Sequence, residues 1–403
     1  MIEVLIAAPG SGSGKTIVTC ALLAALQRRG YRPCAFKCGP DYIDPMFHRA
    51  VLGVESRNLD LFLADETAVQ TLYAQTCAGH GAAIIEAAMG FYDGLGGSTD
   101  RASGWQVADT LDLPVLLVVR PRGASLTLAA QIRGLQAFRQ PSRIAGLLLN
   151  DCSPALADRL LPLLERETGL PVVGCLPHLE EAALAHRHLG LYTAGEVDDL
   201  SVRLDRIARQ LDQNLDWDRF FARFGQRADR PRGLPRQGCK REVPIAVARD
   251  DAFCFTYPET LETLEAAGAE LRFFSPLRDP CLPDRACGLY LPGGYPELYA
   301  SRLAENTEMR TAVRKAVQGG IPTVAECGGF LYLGRTLQGA DGLCYPMAGC
   351  LPGDAVRTDH LVRFGYAELA ADRDSLLFRA GERVPVHEFH YWDSSETGGD
   401  LTA

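Results

Sequence analysis

The chain has 403 residues, 47% hydrophobic and 23% charged, an ordinary globular composition that gives two or three domains at roughly 150 residues each. Its net charge of −9 excludes a general nucleic-acid surface, and no apolar run approaches the ~20 residues of a membrane span. The N-terminus enters a strand with no basic-then-apolar leader, and thirteen cysteines form no C-x-x-C pair, so reduced thiols in the cytoplasm are expected over disulfides or a zinc site.

The apolar run Val4–Ala8 reads as a buried strand, and Thr16–Leu26 has the apolar spacing of a helix. Between them lies Pro9-Gly10-Ser11-Gly12-Ser13-Gly14-Lys15-Thr16. Strand, glycine-rich turn, Lys-Thr and helix make a phosphate cradle: the glycines let the backbone wrap phosphate oxygens, and the helix start turns free N–H groups toward them. Lys15 can neutralise the outer phosphates and the Thr16 hydroxyl can sit on Mg²⁺. Pro9 stands where such loops have their first glycine.

Pro33–Lys37 reads as the second strand, delivering Cys38–Pro45 as a loop at its C-terminal end, where open parallel sheets bind ligands. Lys37, Asp41 and Asp44 there suit phosphate, metal or substrate contact; an Asp-Pro-rich turn is the plainer reading of either aspartate alone. Ser56–Asp60 leads to a helix over Glu66–Ala78, and the third strand, Ala82–Glu86, ends in an acid. Glu86 inside a sheet needs a metal or a charged partner. Strands Pro114–Val119 and Ile144–Leu149 flank another helix, and the Asn150 amide can read an adenine edge. A sixth strand, Pro171–Cys175, precedes three histidines within Pro177–Leu189, which lack metal-ligand spacing and read as surface or substrate-facing. The alternation predicts a doubly wound parallel α/β sheet.

Leu204–Phe224 reads as one amphipathic helix, and 227–241 as a linker with six basic residues among Pro and Gly. A second α/β pattern starts at Val243. It contains Leu289–Leu291 running into Pro292-Gly293-Gly294, and Pro322–Ala325 running into Glu326-Cys327-Gly328-Gly329. Strand, tight turn and helix around a cysteine form a nucleophile elbow, whose strained centre needs small neighbours. A helix N-terminus is expected to lower the Cys327 pKa. Gly328 and the Gly293-Gly294 turn can supply an oxyanion hole. The other twelve cysteines read as structural.

With both motifs in place, the chain resembles the cobyrinic acid a,c-diamide synthase family of cobalamin biosynthesis, including its hydrogenobyrinic acid branch. The resemblance runs from Ile2 to about Thr397. It is carried by Gly10-Ser11-Gly12-Ser13-Gly14-Lys15-Thr16, Lys37 followed by Gly39-Pro40-Asp41-Tyr42-Ile43-Asp44, Arg57-Asn58-Leu59-Asp60, Glu86 followed by Met89–Gly94, Arg187–Leu191, Arg272–Leu277, Pro292–Leu298, Ala325–Gly329 and His387–Tyr391.

The resemblance implies three segments: 1–195, a dethiobiotin synthetase-like P-loop amidoligase domain; 196–242, a helix and basic linker; and 243–403, a class I glutamine amidotransferase-like domain. It implies ATP and Mg²⁺ as cofactors, a corrinoid and glutamine or ammonia as partners, and leaves a homodimer expected. The nucleotide would meet Gly10–Thr16 and Asn150; Mg²⁺ would meet Thr16, Asp60 and Glu86, with Asp41 as alternative. Lys15, Lys37 and Cys327 are the expected catalytic groups, and Asp41, Tyr42, Asp44 and Asp93 the expected substrate contacts. Two departures stand out. Arg120 replaces the family's usual aspartate after Val119. The family also continues some tens of residues past the position of Ala403, with a Tyr-Leu-His-like segment supplying the nucleophile's base. Within this chain His387 and His390 are the candidates for it, although they match an earlier block, and ammonia is expected to be a better donor than glutamine. Cobyric acid synthase, which combines the same two modules, is the alternative. A P-loop switch that dimerises on ATP is a second alternative, but it has no use for a cysteine elbow.

Overall fold

The computed structural model describes residues 1–179, 194–225, 242–398 and 401–402. The chain divides into two compact units, Met1–Leu234 and Pro235–Ala403. The basic stretch 227–241 and the pair His186 and His188 lie outside the described residues.

The first unit is built on seven parallel strands: β1 (Ile2–Ala7), β2 (Pro33–Cys38), β3 (Ser56–Leu59), β4 (Ala82–Glu86), β5 (Val115–Val119), β6 (Ile144–Asn150) and β7 (Val172–Leu176), in the order β3-β2-β4-β1-β5-β6-β7. Four of them, β4 to β7, are apolar runs broken at most by a last polar residue, Glu86 or Asn150, because helices cover both faces. One face carries α3 (Glu66–Cys77), α4 (Gly104–Thr110), α5 (Leu126–Phe138) and α6 (Pro154–Thr168); the other carries α1 (Lys15–Arg28) and α2 (Ile43–Leu52). Two further helices, α7 (Ala194–Asn214) and α8 (Trp217–Phe224), join the α1 face through Leu204, Ile207, Leu211, Phe220 and Phe224. The segment 196–242 thus contributes core to the first unit before any linker begins. Ten of the fourteen residues of α1 are buried, since α1 lies between the sheet and α7.

Three sequence expectations are corrected here. The expected single helix Leu204–Phe224 is two, because the chain docks on β7 between them. Asp216 N–H donates to the Val173 carbonyl at 2.7 Å, Leu215 bridges Gly174, and the Asp216 carboxylate then caps α8 by accepting from Arg219 N–H at 3.0 Å. A Cβ on Gly174 would stand 2.8 Å from Leu215 Cα, so this approach requires glycine. The stretch Ser56–Leu59 is an edge strand, its polar residues tolerated because only one neighbour pairs with it. The expected Cys38–Pro45 loop ends early: α2 starts at Ile43, with Asp44 in its first turn.

The second unit holds a parallel sheet, β11-β10-β8-β9, formed by β8 (Val243–Ala248), β9 (Ala269–Phe274), β10 (Gly288–Leu291) and β11 (Thr323–Ala325). Helices α9 (Pro258–Ala266), α10 (Ala300–Glu305), α11 (Thr307–Gln318) and α12 (Gly328–Leu333) connect its strands and extend beyond them. A mixed sheet follows, built from β12 (Thr336–Gln338), β13 (Cys344–Pro346), β14 (Asp354–Arg357) and β17 (Trp392–Ser394). Strands β15 (Arg363–Ala371), β16 (Arg383–His390) and β18 (Leu401–Thr402) form a third, antiparallel sheet. The core of the second unit gathers Phe253, Leu291, Leu303, Met309, Val313 and Tyr332. Among the described residues no helix is long and apolar enough to cross a membrane.

Candidate active sites

Strand register assembles the first site. Glu86 pairs with Lys37 across β2–β4 and with Ile6 across β1–β4, so the acid, the lysine and the loop after β1 reach one level at the C-terminal edge. Thr16, one residue into α1, donates its hydroxyl to Glu86 Oε1 at 2.6 Å. Lys37 Nζ donates to the same oxygen at 2.7 Å and also to Asp44. Burial opposes the charge on Lys37, but Glu86, Asp44 and Asp41 outweigh it and raise its pKa. Lys37 is therefore a fixed cation. Asp41 is 3.9 Å from Lys37, and its Oδ1 accepts from Ile43 and Asp44 N–H groups at 2.8 and 3.3 Å. Burial and then the neighbouring Asp44 raise the Asp41 carboxyl.

Lys15 Nζ folds over its own loop onto the carbonyls of Met89 and Gly10, the latter at 3.3 Å. Burial lowers its pKa. Gly12 and Gly14 take φ of 74° and 92°, conformations that favour glycine. A Cβ on Gly14 would also overlap Asn150 Nδ2.

Other expected groups are placed differently. Asn150 spends one amide hydrogen on the Ser13 carbonyl at 2.9 Å, holding the loop. Asp93 Oδ2 accepts from Gly90 N–H at 2.9 Å, closing the Met89–Asp93 turn. Asp60 Oδ1 accepts from the Phe62 and Leu63 N–H groups at 2.8 and 3.0 Å, capping the turn after β3. Tyr42 stands at the N-cap of α2. Two residues to which the sequence assigns no role position the loops. Asn58 donates to the Gly39 and Asp41 carbonyls at 2.8 and 2.7 Å. Arg120 Nη1 donates to the Gly12 carbonyl at 2.9 Å.

The chemistry of the donors tests the fit of a cation. Glu86 Oε2 is buried with no hydrogen-bond partner, and it shares a carboxylate with the oxygen bound by Thr16. Among the described residues no three acidic, histidine or cysteine side chains converge as a metal cage. That suits Mg²⁺ on a nucleotide, which takes most of its oxygens from phosphate and water.

The second site is the turn between β11 and α12. Cys327 has φ 46° and ψ −111°, the strained elbow expected from sequence. Its neighbours have no room for side chains: a Cβ on Gly328 would stand 2.7 Å from Pro296 Cδ, and one on Gly329 would overlap the Leu291 carbonyl. That same Gly328 Cβ position is 3.2 Å from Gly294 N, and a Gly293 Cβ would be 3.3 Å from Cys327 Cβ. The two glycine segments therefore meet at the thiol. Among the described residues no backbone acceptor takes the Gly294 N–H, which leaves it for a ligand.

The expected lowering of the thiol pKa is overturned. Water reaches Cys327, yet the protein packed around it disfavours the thiolate. That burial, with Glu297 and Glu326 adding negative charge and only the Gly328 N–H opposing, pushes the thiol up to about 11. Burial likewise raises Glu297 to about 7, and Glu326 Oε2 accepts from Tyr290 Oη–H at 2.5 Å. His390 Nδ1 lies 2.8 Å from the Trp392 carbonyl, and His387 packs edge-on against Phe364 and Tyr366. Both sit at the β15–β16 hairpin, in a different sheet from β10 and β11.

The two units match two family models: a CobQ/CobB/MinD/ParA nucleotide binding domain over residues 4–190, and a CobB/CobQ-like glutamine amidotransferase domain over 244–401. Among curated relatives, the cobyrinate a,c-diamide synthase of Synechococcus is 41% identical over 396 residues, covering 96% of this chain and 86% of the relative. The chain belongs to the cobyrinate a,c-diamide synthase family. The family members of Salmonella typhimurium and Gloeobacter violaceus are 40% and 41% identical, each covering 96% of this chain and, respectively, 85% and 86% of their own length. As in that family, the first unit binds nucleotide and the second is a glutamine amidotransferase domain, which makes the chain an amide-forming ligase.

Proposed function

We propose that the chain amidates the a and c side-chain carboxylates of cobyrinate or hydrogenobyrinate, using ATP and nitrogen from glutamine or ammonia, as a step of cobalamin biosynthesis. The Thr16–Glu86–Lys37 junction beside the phosphate loop is the observation that carries this reading. The free loop N–H groups and Lys15 bind the phosphates. Thr16 and the open Glu86 Oε2 would hold Mg²⁺, which neutralises phosphate charge as the transfer proceeds. Lys37, kept cationic by its acids, stabilises charge on the transferred group and fixes Glu86 in place. Asp41 and Tyr42, just before α2, and Asp44, in its first turn, face the corrinoid side of the reaction.

A substrate carboxylate oxygen attacks the terminal phosphorus and ADP leaves, giving an acyl phosphate. Ammonia then adds to the acyl carbon, phosphate leaves with the C–O bond, and nitrogen loses a proton to give the amide. At the second site, the Cys327 sulphur attacks the glutamine side-chain carbonyl while the thiol proton passes to the leaving nitrogen, the Gly294 and Gly328 N–H groups receive the oxyanion, ammonia departs, and water cleaves the resulting thioester to glutamate and the free thiol.

Lys15→Ala tests the phosphoryl step with ammonia as donor, so that the glutaminase is bypassed. The expected result is a loss of amidation on the order of 10²-fold or more, measured as ADP and amide formed together. Amidation at the unsubstituted rate would remove the assignment of this loop to phosphoryl transfer.

A further inference from the structure

Two adjacent carbonyls of the phosphate loop are each held by a side chain from a neighbouring strand end. Arg120, immediately after β5, donates through Nη1 to the Gly12 carbonyl at 2.9 Å, and Asn150, ending β6, donates to the Ser13 carbonyl at 2.9 Å. In a trans peptide the C=O and N–H point in opposite directions. Holding the Gly12 carbonyl toward Arg120 therefore turns the Ser13 N–H away from it, and holding the Ser13 carbonyl turns the Gly14 N–H away from Asn150. Neither of these N–H groups has an acceptor among the described residues, so both remain available to an anion.

This clamp has work to do because its peptides are flanked by glycines. Gly12 and Gly14 already sit at positive φ, and glycine crosses between backbone regions at little cost. A flipped Gly12–Ser13 peptide would present a carbonyl to the phosphates in place of an N–H. Arg120 is itself anchored: its Nη2 donates to Asp151, which also accepts from Arg122 Nη2 at 2.9 Å and meets His178 Nδ1 at 2.6 Å. Burial would raise the Asp151 carboxyl, but the hydrogen bonds from Arg120, Arg122 and His178 outweigh it and hold it at about 2.

We propose that Arg120, anchored by Asp151, is a positioning residue for nucleotide binding that fixes the Gly12–Ser13 peptide with its N–H facing the ATP phosphates. The proposal rests on the reading of this loop as the ATP site. It explains what an arginine does after Val119, and it makes the Asp151 pair part of the nucleotide machinery.

The test uses the full chain and ATP with Mg²⁺. Arg120→Ala is expected to weaken calorimetric ATP binding and raise the KM for ATP by about tenfold or more, the scale of a hydrogen bond to a charged group. The KM for glutamine and the glutaminase rate should not move. Arg120→Lys, whose single ammonium cannot span both partners in the guanidinium's geometry, should recover only part of the loss, and Asp151→Asn should give an intermediate weakening. Lys15→Ala, measured alongside, reports on the loop itself. If Lys15→Ala abolishes ATP use and Arg120→Ala leaves ATP binding unchanged, the positioning role is wrong and the ATP site stands. If Arg120→Ala lowers the melting midpoint and damages the ATP and glutamine reactions in parallel, Arg120 is a folding residue and the proposal falls. If Lys15→Ala leaves ATP use intact, the ATP reading falls and this proposal with it.

Discussion

Cys327 shows how one residue can be placed for chemistry and restrained from it. Its backbone is held in a strained conformation, φ 46°, by neighbours that leave no space for a Cβ, and that geometry offers the thiol to a ligand. Its surroundings meanwhile keep the proton on sulphur. A thiol pushed up to about 11 is a thiolate in only about one molecule in 10⁴ at pH 7. The sign is clear: burial and the carboxylates of Glu297 and Glu326 all disfavour the anion, and the Gly328 N–H offsets only part of that. Attack on glutamine therefore requires that a base remove the proton in the presence of substrate. The expected behaviour of the resting protein is slow alkylation of Cys327 by iodoacetamide at neutral pH. The rate should rise about tenfold per pH unit up to roughly pH 10, followed by mass spectrometry of the Cys327 peptide. A rate that levels off below about pH 8 would mean a thiolate stabilised by its resting environment.

At the scale of elements, the P-loop, the cysteine elbow and six strands were legible because each is a local pattern: an apolar run, glycines at fixed offsets, then helical spacing. The edge strand Ser56–Leu59 was hidden because its pairing with β2 supplies what its own side chains do not advertise. The break between α7 and α8 was hidden for a related reason. Amphipathic spacing continues through Leu215 and Asp216, and only the docking of this segment on Val173 and Gly174 separates the helices. The same docking makes α8 part of the nucleotide unit. Phe220 is fully buried there, with its ring 5.6 Å from Trp217 and 5.0 Å from Phe224. Phe220→Ala should therefore lower the stability of the first unit by about 3–5 kcal/mol, read from denaturant unfolding with and without ATP. A change near zero would place α8 outside that core.

At the scale of the whole molecule, the sequence contained both chemistries but not the couplings inside either site. Glu86 was readable as a buried acid needing a partner, whereas its bonds to Thr16 and Lys37 depend on strand register. Arg120 was readable only as a departure, because its partners Gly12 and Asp151 lie 108 and 31 residues away. The two units have separate cores, one around the seven-stranded sheet and one around the β10–β11 region, and each site draws its side chains from its own unit. A change of one sulphur to oxygen at Cys327 adds no volume that would disturb packing, and the side chains of the phosphate site come from the other unit. Cys327→Ser should therefore abolish glutamine-dependent amidation while amidation from ammonium salts continues at the unsubstituted rate, with the KM for ATP unchanged. Adding Lys15→Ala to Cys327→Ser should remove the ammonia reaction as well. The decisive measurement is amide formed per ADP with each nitrogen source. Loss of the ammonia reaction in Cys327→Ser alone would make the thiol part of the transfer of the corrinoid acyl group to nitrogen, and one covalent centre would then replace the two-site scheme.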